Sequence, residues 1–131
     1  MKSNDNASPT PLIACVDDDI SVREALEGLL GAFGFLVVSF ASAEAFLASE
    51  TIRQVSCLIT DLQLGGISGL QLQKRLTAMG HRVPAIVITA FSDDELRSEA
   101  MAAGAIKVLM KPIRAVQLLA AIRLALGRDQ N

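Results

Sequence analysis

The chain has 131 residues, 51% of them hydrophobic and 20% charged, with a formal net charge of −2. That length fits one domain burying about two thirds of the surface its unfolded chain would expose, and the composition excludes a disordered chain. The slight negative charge gives no bulk attraction to nucleic acid or to an acidic membrane, so neither is expected as a direct partner.

In chain order, residues 1–11 are polar and read as a flexible leader without the basic and apolar blocks of a signal peptide. No apolar stretch reaches the roughly 18 residues of a membrane span, which makes a cytoplasmic location the expectation. Residues 12–16 form a first apolar run that ends on Asp17, Asp18 and Asp19. Val22, Ala25, Leu26, Leu29, Leu30 and Phe33 then follow helical spacing up to Gly34, which supplies a stop. Residues 35–40 are β-branched and aromatic, and Ser42 is placed to cap a short helix over 43–48. A third strand over 55–60 runs into Asp61. Leu70, Leu72, Leu76 and Met79 mark a helix ending at Gly80, and residues 84–89 are a fourth strand ending on Thr89. Ser92 precedes three acids as an expected N-cap, and Gly104 closes that helix. A fifth strand over 106–110 meets Lys111 and Pro112, and residues 115–126 form the last helix. The domain is therefore expected over 12–127, with a tail over 128–131. The two cysteines, Cys15 and Cys57, sit inside strand runs and read as small core hydrophobes, not as a disulfide.

Five apolar strands alternating with five helices, joined by right-handed crossovers, predict an α/β fold: a three-layer, doubly wound, five-stranded parallel sheet in the flavodoxin-like order 2-1-3-4-5. Such a sheet presents its chemistry at the strand C-termini. Its order makes the first and third strands neighbours, which gathers Asp17, Asp18 and Asp61, with Thr89 and Lys111 on the next two strands outward. Two carboxylates about 4 Å apart repel by roughly 4 kcal/mol at an effective dielectric of 20, so the cluster requires a compensating cation or a proton, and a metal is the leading expectation. Oxygen ligands without histidine or thiol select a hard ion, and Mg²⁺ with phosphate fits that donor set. Lys111 then neutralises a second phosphoryl oxygen, the Thr89 hydroxyl donates to a third, and one carboxylate remains as nucleophile. The sequence holds no Walker-type loop or dinucleotide fingerprint, so a nucleotide is not the obvious donor.

The order Val16-Asp17-Asp18-Asp19, Thr60-Asp61-Leu62-Gln63-Leu64-Gly65-Gly66-Ile67-Ser68-Gly69, Val87-Ile88-Thr89-Ala90 and Lys111-Pro112 resembles the receiver domain of bacterial two-component response regulators over residues 12–127. The resemblance implies that Asp61 accepts a phosphoryl group from the phosphohistidine of a sensor histidine kinase. It implies that Asp18 and Asp61 bind Mg²⁺ directly, that Asp17 acts through a metal-bound water, and that the Gln63 backbone carbonyl completes the ligands. Thr89 and Lys111 would grip the phosphoryl group, and Lys111-Pro112 becomes a candidate cis peptide. Such a domain catalyses only its own phosphorylation and dephosphorylation, and its output is altered binding of a downstream protein target or of an effector domain. No effector follows Asn131 in this sequence, so the protein is expected either to act alone or to be the receiver of a longer regulator.

Departures from the family pattern are informative. Where members carry Met-Pro, this chain has Leu64 and Gly65, followed by Gly66, so a mobile loop is expected before Ser68. Val108 stands where many members have an aromatic residue that couples to the threonine, and Phe91 lies where the family controls access of water, which predicts slow phosphate loss. The last helix is apolar beyond one stripe, so part of it is either covered by its neighbours or by a further domain, or forms a homodimer or partner surface, for which the resemblance implies the last two helices and the fifth strand. Taken alone, Asp17 to Asp19 are a helix cap and Lys111 a turn lysine; their joint placement makes them a site. Asp19 is read as only a cap, and His81 as solvated. Two rival readings remain, a degenerate receiver that binds without phosphorylation and a haloacid-dehalogenase-type phosphatase with Asp17 as nucleophile. The latter needs a further acid after the lysine, and only Asp129 follows.

Overall fold

A computed structural model describes residues 10–90 and 93–129. Five strands, β1 (Leu12–Val16), β2 (Leu36–Phe40), β3 (Cys57–Asp61), β4 (Ala85–Thr89) and β5 (Ala105–Met110), alternate with five helices: α1 (Ile20–Ala32), α2 (Ala43–Leu47), α3 (Gly69–Ala78), α4 (Asp94–Ala102) and α5 (Ala115–Asp129). All strand pairs are parallel and the order is β2-β1-β3-β4-β5, the expected doubly wound arrangement.

Successive strand side chains point to opposite faces, and both faces are covered. Ile13 and Cys15 of β1 pack with Ile59, Ile86 and Ile88 beneath Leu26 and Leu30 of α1 and Leu118 and Ile122 of α5. Ala14, Val16 and Leu58 face the other way, against Phe46 of α2 and Leu72 and Leu76 of α3. Each fully buried Leu or Ile contributes about 1.5–3 kcal/mol relative to an exposed one, so this double cover holds the strand ends in place. Both cysteines are buried, and burial pushes the Cys15 thiol up, which makes it inert. Among the described residues no helix is long and apolar enough to cross a membrane.

Helix ends follow the local chemistry. Asp19 caps α1 by accepting from the Ser21 amide at 2.8 Å, and Ser42 caps α2 through the Ala45 amide at 3.1 Å. Gly34, Gly80 and Gly104 terminate α1, α3 and α4 with φ of 90°, 82° and 109°, the left-handed conformation that favours glycine. Other expectations shift. Phe33 and Met79 are 54% and 52% exposed, because each is the C-cap residue, where the helical period has already ended. Ala25 is also exposed, off the stripe that Leu26 and Leu30 bury. Ser92 and Phe91 lie outside the described residues, as does most of the expected leader; Asp93 caps α4, accepting from the Glu95 amide at 2.8 Å and from Leu96 at 3.4 Å. A 3-10 turn over Glu50–Arg53, unforeseen in the periodicity, follows α2, and α5 continues to Asp129.

Candidate functional site

The C-terminal edge of the sheet gathers the predicted groups. Asp17 and Asp18 follow β1, Asp61 is the last residue of β3, Thr89 the last of β4, and Lys111 follows β5. Carboxylate oxygens of Asp17, Asp18 and Asp61 all lie within 4.8 Å of one another. The Lys111 ammonium reaches across from β5 to Asp61 Oδ2 at 2.9 Å and to Asp17 Oδ2 at 3.2 Å. Backbone bonds set these positions: the Asp17 amide donates to the Phe40 carbonyl at 3.1 Å, and the Lys111 amide to the Thr89 carbonyl at 2.8 Å. Thr89, 2% exposed, ends its strand in register with Met110, the residue before Lys111. The Lys111-Pro112 peptide is cis, as the resemblance implied.

Short turns orient the carboxylates. Asp17 Oδ1 accepts from the Asp19 amide at 2.9 Å, and Asp61 Oδ1 from the Gln63 amide at 3.1 Å. Asp17 is fully buried, and burial pushes its carboxyl above the usual range, against the lowering pull of the Asp19 amide and of Lys111. The Lys111 ammonium is partly buried, which alone would lower it, yet its bonds to Asp61 and Asp17 raise it above the ordinary lysine value. It therefore stays charged.

The donor set fits a hard divalent cation. One ammonium faces three carboxylates, and Asp17 Oδ2 is buried without a well-directed hydrogen bond although Lys111 lies beside it. An oxygen so placed is under-satisfied, and a second positive charge relieves both that deficit and the mutual repulsion. Asp18 is exposed at the mouth of the cluster, where a solvated ion enters.

Three contributors escaped the sequence reading. Arg23, one turn into α1, donates from a guanidinium nitrogen to the Asp17 carbonyl at 2.7 Å and fixes the β1–α1 junction; a lone basic residue after an acidic run was the available signal. Gly69 opens α3 hard against the end of β3, and a Cβ there would collide with the Asp61 carbonyl. The Ser-Gly pair before an apolar helical pattern marks such a close approach. The third, Glu44, lies on a distant element and has no local signature.

Comparison with known proteins agrees with this geometry. The chain matches the Response regulator receiver domain family over residues 13–123. It is 42% identical over 114 residues to the Transcriptional regulatory protein FixJ of Azorhizobium caulinodans, covering 87% of this chain and 54% of that protein. It is 41% identical over 115 residues to the Response regulator protein TmoT of Ectopseudomonas mendocina, covering 88% and 52%. Among solved structures, Response Regulator StyR superposes with a TM-score of 0.86 at 41% identity, covering 93% of this chain and 62% of that one. FixJ-N superposes at 0.82 with 35% identity, covering 92% and 96%. The chain belongs to the response regulator receiver domain family, and its role is that of a phosphoacceptor in two-component signalling. Its catalysis is confined to its own phosphorylation and dephosphorylation. The chain spans about half the length of the curated relatives it matches.

Proposed function

We propose that Asp61 is the phosphoacceptor and that the donor is a phosphohistidine on a sensor histidine kinase. The carboxylate oxygen attacks phosphorus, the phosphorus–nitrogen bond breaks, and the imidazole leaves as the acyl phosphate forms. The observation that carries this reading is the convergence of Asp17, Asp18 and Asp61 within 4.8 Å under the ammonium of Lys111.

Each neighbour has a role. Lys111 holds Asp61 Oδ2 before transfer and, as a point charge, balances phosphoryl oxygen charge afterwards. The Gln63 amide fixes the other Asp61 oxygen, which orients the carboxylate for in-line attack. Thr89 donates its hydroxyl to a phosphoryl oxygen. Asp18, Asp61 and the Gln63 carbonyl would hold a Mg²⁺ ion, with Asp17 supporting it through a water. When bound, the ion neutralises the carboxylates and a phosphoryl oxygen together. Asp17 is the poorer nucleophile for a phosphatase reading, since it is fully buried whereas Asp61 is 8% exposed.

The output is altered binding, through the face of α4, β5 and α5, of a downstream protein or an effector domain, or by homodimerisation. Met101, Val116 and Leu124 give that face exposed apolar groups. We place the domain in the cytoplasm, without direct contact to nucleic acid. The test is incubation with Mg²⁺ and a small acyl phosphate donor. With no Trp or Tyr in the chain, intact mass is the readout. Gain of one phosphoryl group, mapped to Asp61, is expected; label on Asp17 would indicate a hydrolase, and no label a degenerate receiver.

A further inference from the structure

The loop between β3 and α3 departs from the family pattern through Leu64, Gly65 and Gly66, and the structure shows what holds it. Its two ends are fixed by strong local contacts. The Gln63 amide bonds Asp61 at one end, and at the other Ser68 and Gln71 form a reciprocal capping box with bonds of 3.0 and 3.1 Å. Leu64 and Ile67 lean on the apolar cluster under α2 and α3. Between them the two glycines have no side chain to anchor, and they carry the bend past Asp18: a Cβ at Gly65 would stand 3.9 Å from Asp18 Oδ2.

One side chain from outside the loop grips this bend. Glu44, in the first turn of α2, accepts the Ile67 amide on Oε2 at 3.2 Å across a separation of 23 residues. Its carboxylate also fills the space a side chain at Gly66 would take, so that a Cβ there would collide with it. Gly66 is not among the positive-φ glycines, which are Gly34, Gly80 and Gly104. A side chain at 66 would be accommodated only by swinging the flexible Glu44 carboxylate away, which breaks its contact with the loop.

We propose that Glu44 is a positioning residue for the phosphoacceptor site, clamping the glycine bend so that the loop carrying Gln63 stays aligned over Asp61 and Asp18. In a loop lacking proline, the clamp supplies from α2 the restraint that a stiff residue supplies from within. Anchoring one backbone amide with a charged acceptor restricts the loop without touching the reacting atoms. The inference rests on Asp61 being the acceptor, and the experiment separates the two.

Wild type, Glu44→Gln, Glu44→Ala, Gly66→Ala and the double variant Glu44→Ala/Gly66→Ala are compared in the full chain. Each is titrated with Mg²⁺ during labelling by a small acyl phosphate donor and read by intact mass, with amide exchange followed at Ile67. Loss of the clamp in Glu44→Ala is expected to raise the Mg²⁺ needed for half-maximal labelling by about 3- to 10-fold, the range of one charge-assisted hydrogen bond at a solvated site. Exchange at Ile67 speeds while the urea midpoint stays near wild type. Glu44→Gln keeps an acceptor oxygen and recovers most of the effect. Gly66→Ala, which displaces the carboxylate, matches Glu44→Ala, and the double variant is no worse than either single one, since both remove one contact. Equal Mg²⁺ dependence and Ile67 exchange in wild type and Glu44→Ala would overturn the clamp, as would additive effects in the double variant. Failure of wild type to label at Asp61 would instead overturn the acceptor assignment, leaving the Ile67 exchange comparison to judge the clamp alone.

Discussion

At the inner half of the sheet edge, where β1 and β3 pair, Asp17 and Asp61 are held by backbone amides, an ammonium and two layers of fully buried side chains. At the outer half the cover is thinner: the buried residue of α4 is Ala100, and it meets a small cluster of Leu62, Val87, Ala105 and Val108. The contrast separates two tasks. Positioned charge works by being immobile at the moment of transfer, whereas a relay needs an element whose packing can shift at low cost. Under the proposed function the acceptor and its neighbouring carboxylates sit on the first half, and the partner face on the second.

The largest effect that could break this division is at Asp61. Asp61→Asn is expected to abolish acyl phosphate formation altogether, measured by intact mass, because the amide lacks the anionic oxygen. Residual label elsewhere in the chain would show that the inner half does not concentrate the chemistry. Lys111→Ala should follow, slowing labelling by about 100-fold, the usual cost of removing one preorganised positive group at a developing charge. A near-normal rate would mean the ammonium serves only to relieve carboxylate repulsion.

Packing offers a like-for-like comparison of the halves. Val16 on β1 is 1% exposed in the cluster under α2 and α3, and Val108 on β5 is 8% exposed in the outer cluster. Val16→Ala is expected to cost about 2–3 kcal/mol by urea unfolding and Val108→Ala only about 1 kcal/mol, since a thinly covered site can collapse or admit solvent. Equal costs would remove the packing contrast. Val108 packs with Leu62 and Val87 and makes no ion pair, so Val108→Ala should leave small-donor labelling within about twofold of wild type.

Most of the sheet's C-terminal edge is legible in the chain because its signals are local. Apolar runs end on Asp17, Asp61, Thr89 and Lys111, and parallel topology alone brings those ends together. Glycine stops at 34, 80 and 104 are equally local, and all three adopt the left-handed conformation. Boundary residues are less legible. Phe33 and Met79 continue the helical spacing on paper but occupy cap positions, where the period no longer tells which way a side chain faces. Ser92 and Asp93 are both good caps, and composition cannot rank adjacent candidates; hydrogen bonding assigns Asp93. Hardest to see is Glu44, which reads as an acidic residue favouring a helix start, because its partner amide lies 23 residues away. The Gly65-Gly66 pair reads as slack for the same reason.

The smallest effect sharpens what holds the inner half together. Burial raises the Asp17 carboxyl above its ordinary value of 3.8, so the folded state favours the proton and the ionised group costs stability. That cost is absent below the unfolded value, grows as pH rises through it, and is complete above the raised folded value. Lys111 shifts the other way in consequence: its contribution is fully present below 10.5 and is lost only as pH climbs through its raised folded value, so it does not distort the acidic window. In a Mg²⁺-free buffer with chelator, Asp17→Asn should therefore melt higher than wild type near neutral pH. The gap should narrow as pH falls through the raised folded value and vanish below the ordinary value of 3.8. It should also close when Mg²⁺ is added at pH 7, because the ion stabilises the intact carboxylate cluster by binding the folded state. Parallel calorimetric profiles for the two proteins would show that Lys111 and the Asp19 amide already compensate the buried charge in full, and the cluster would then have no electrostatic need for a metal.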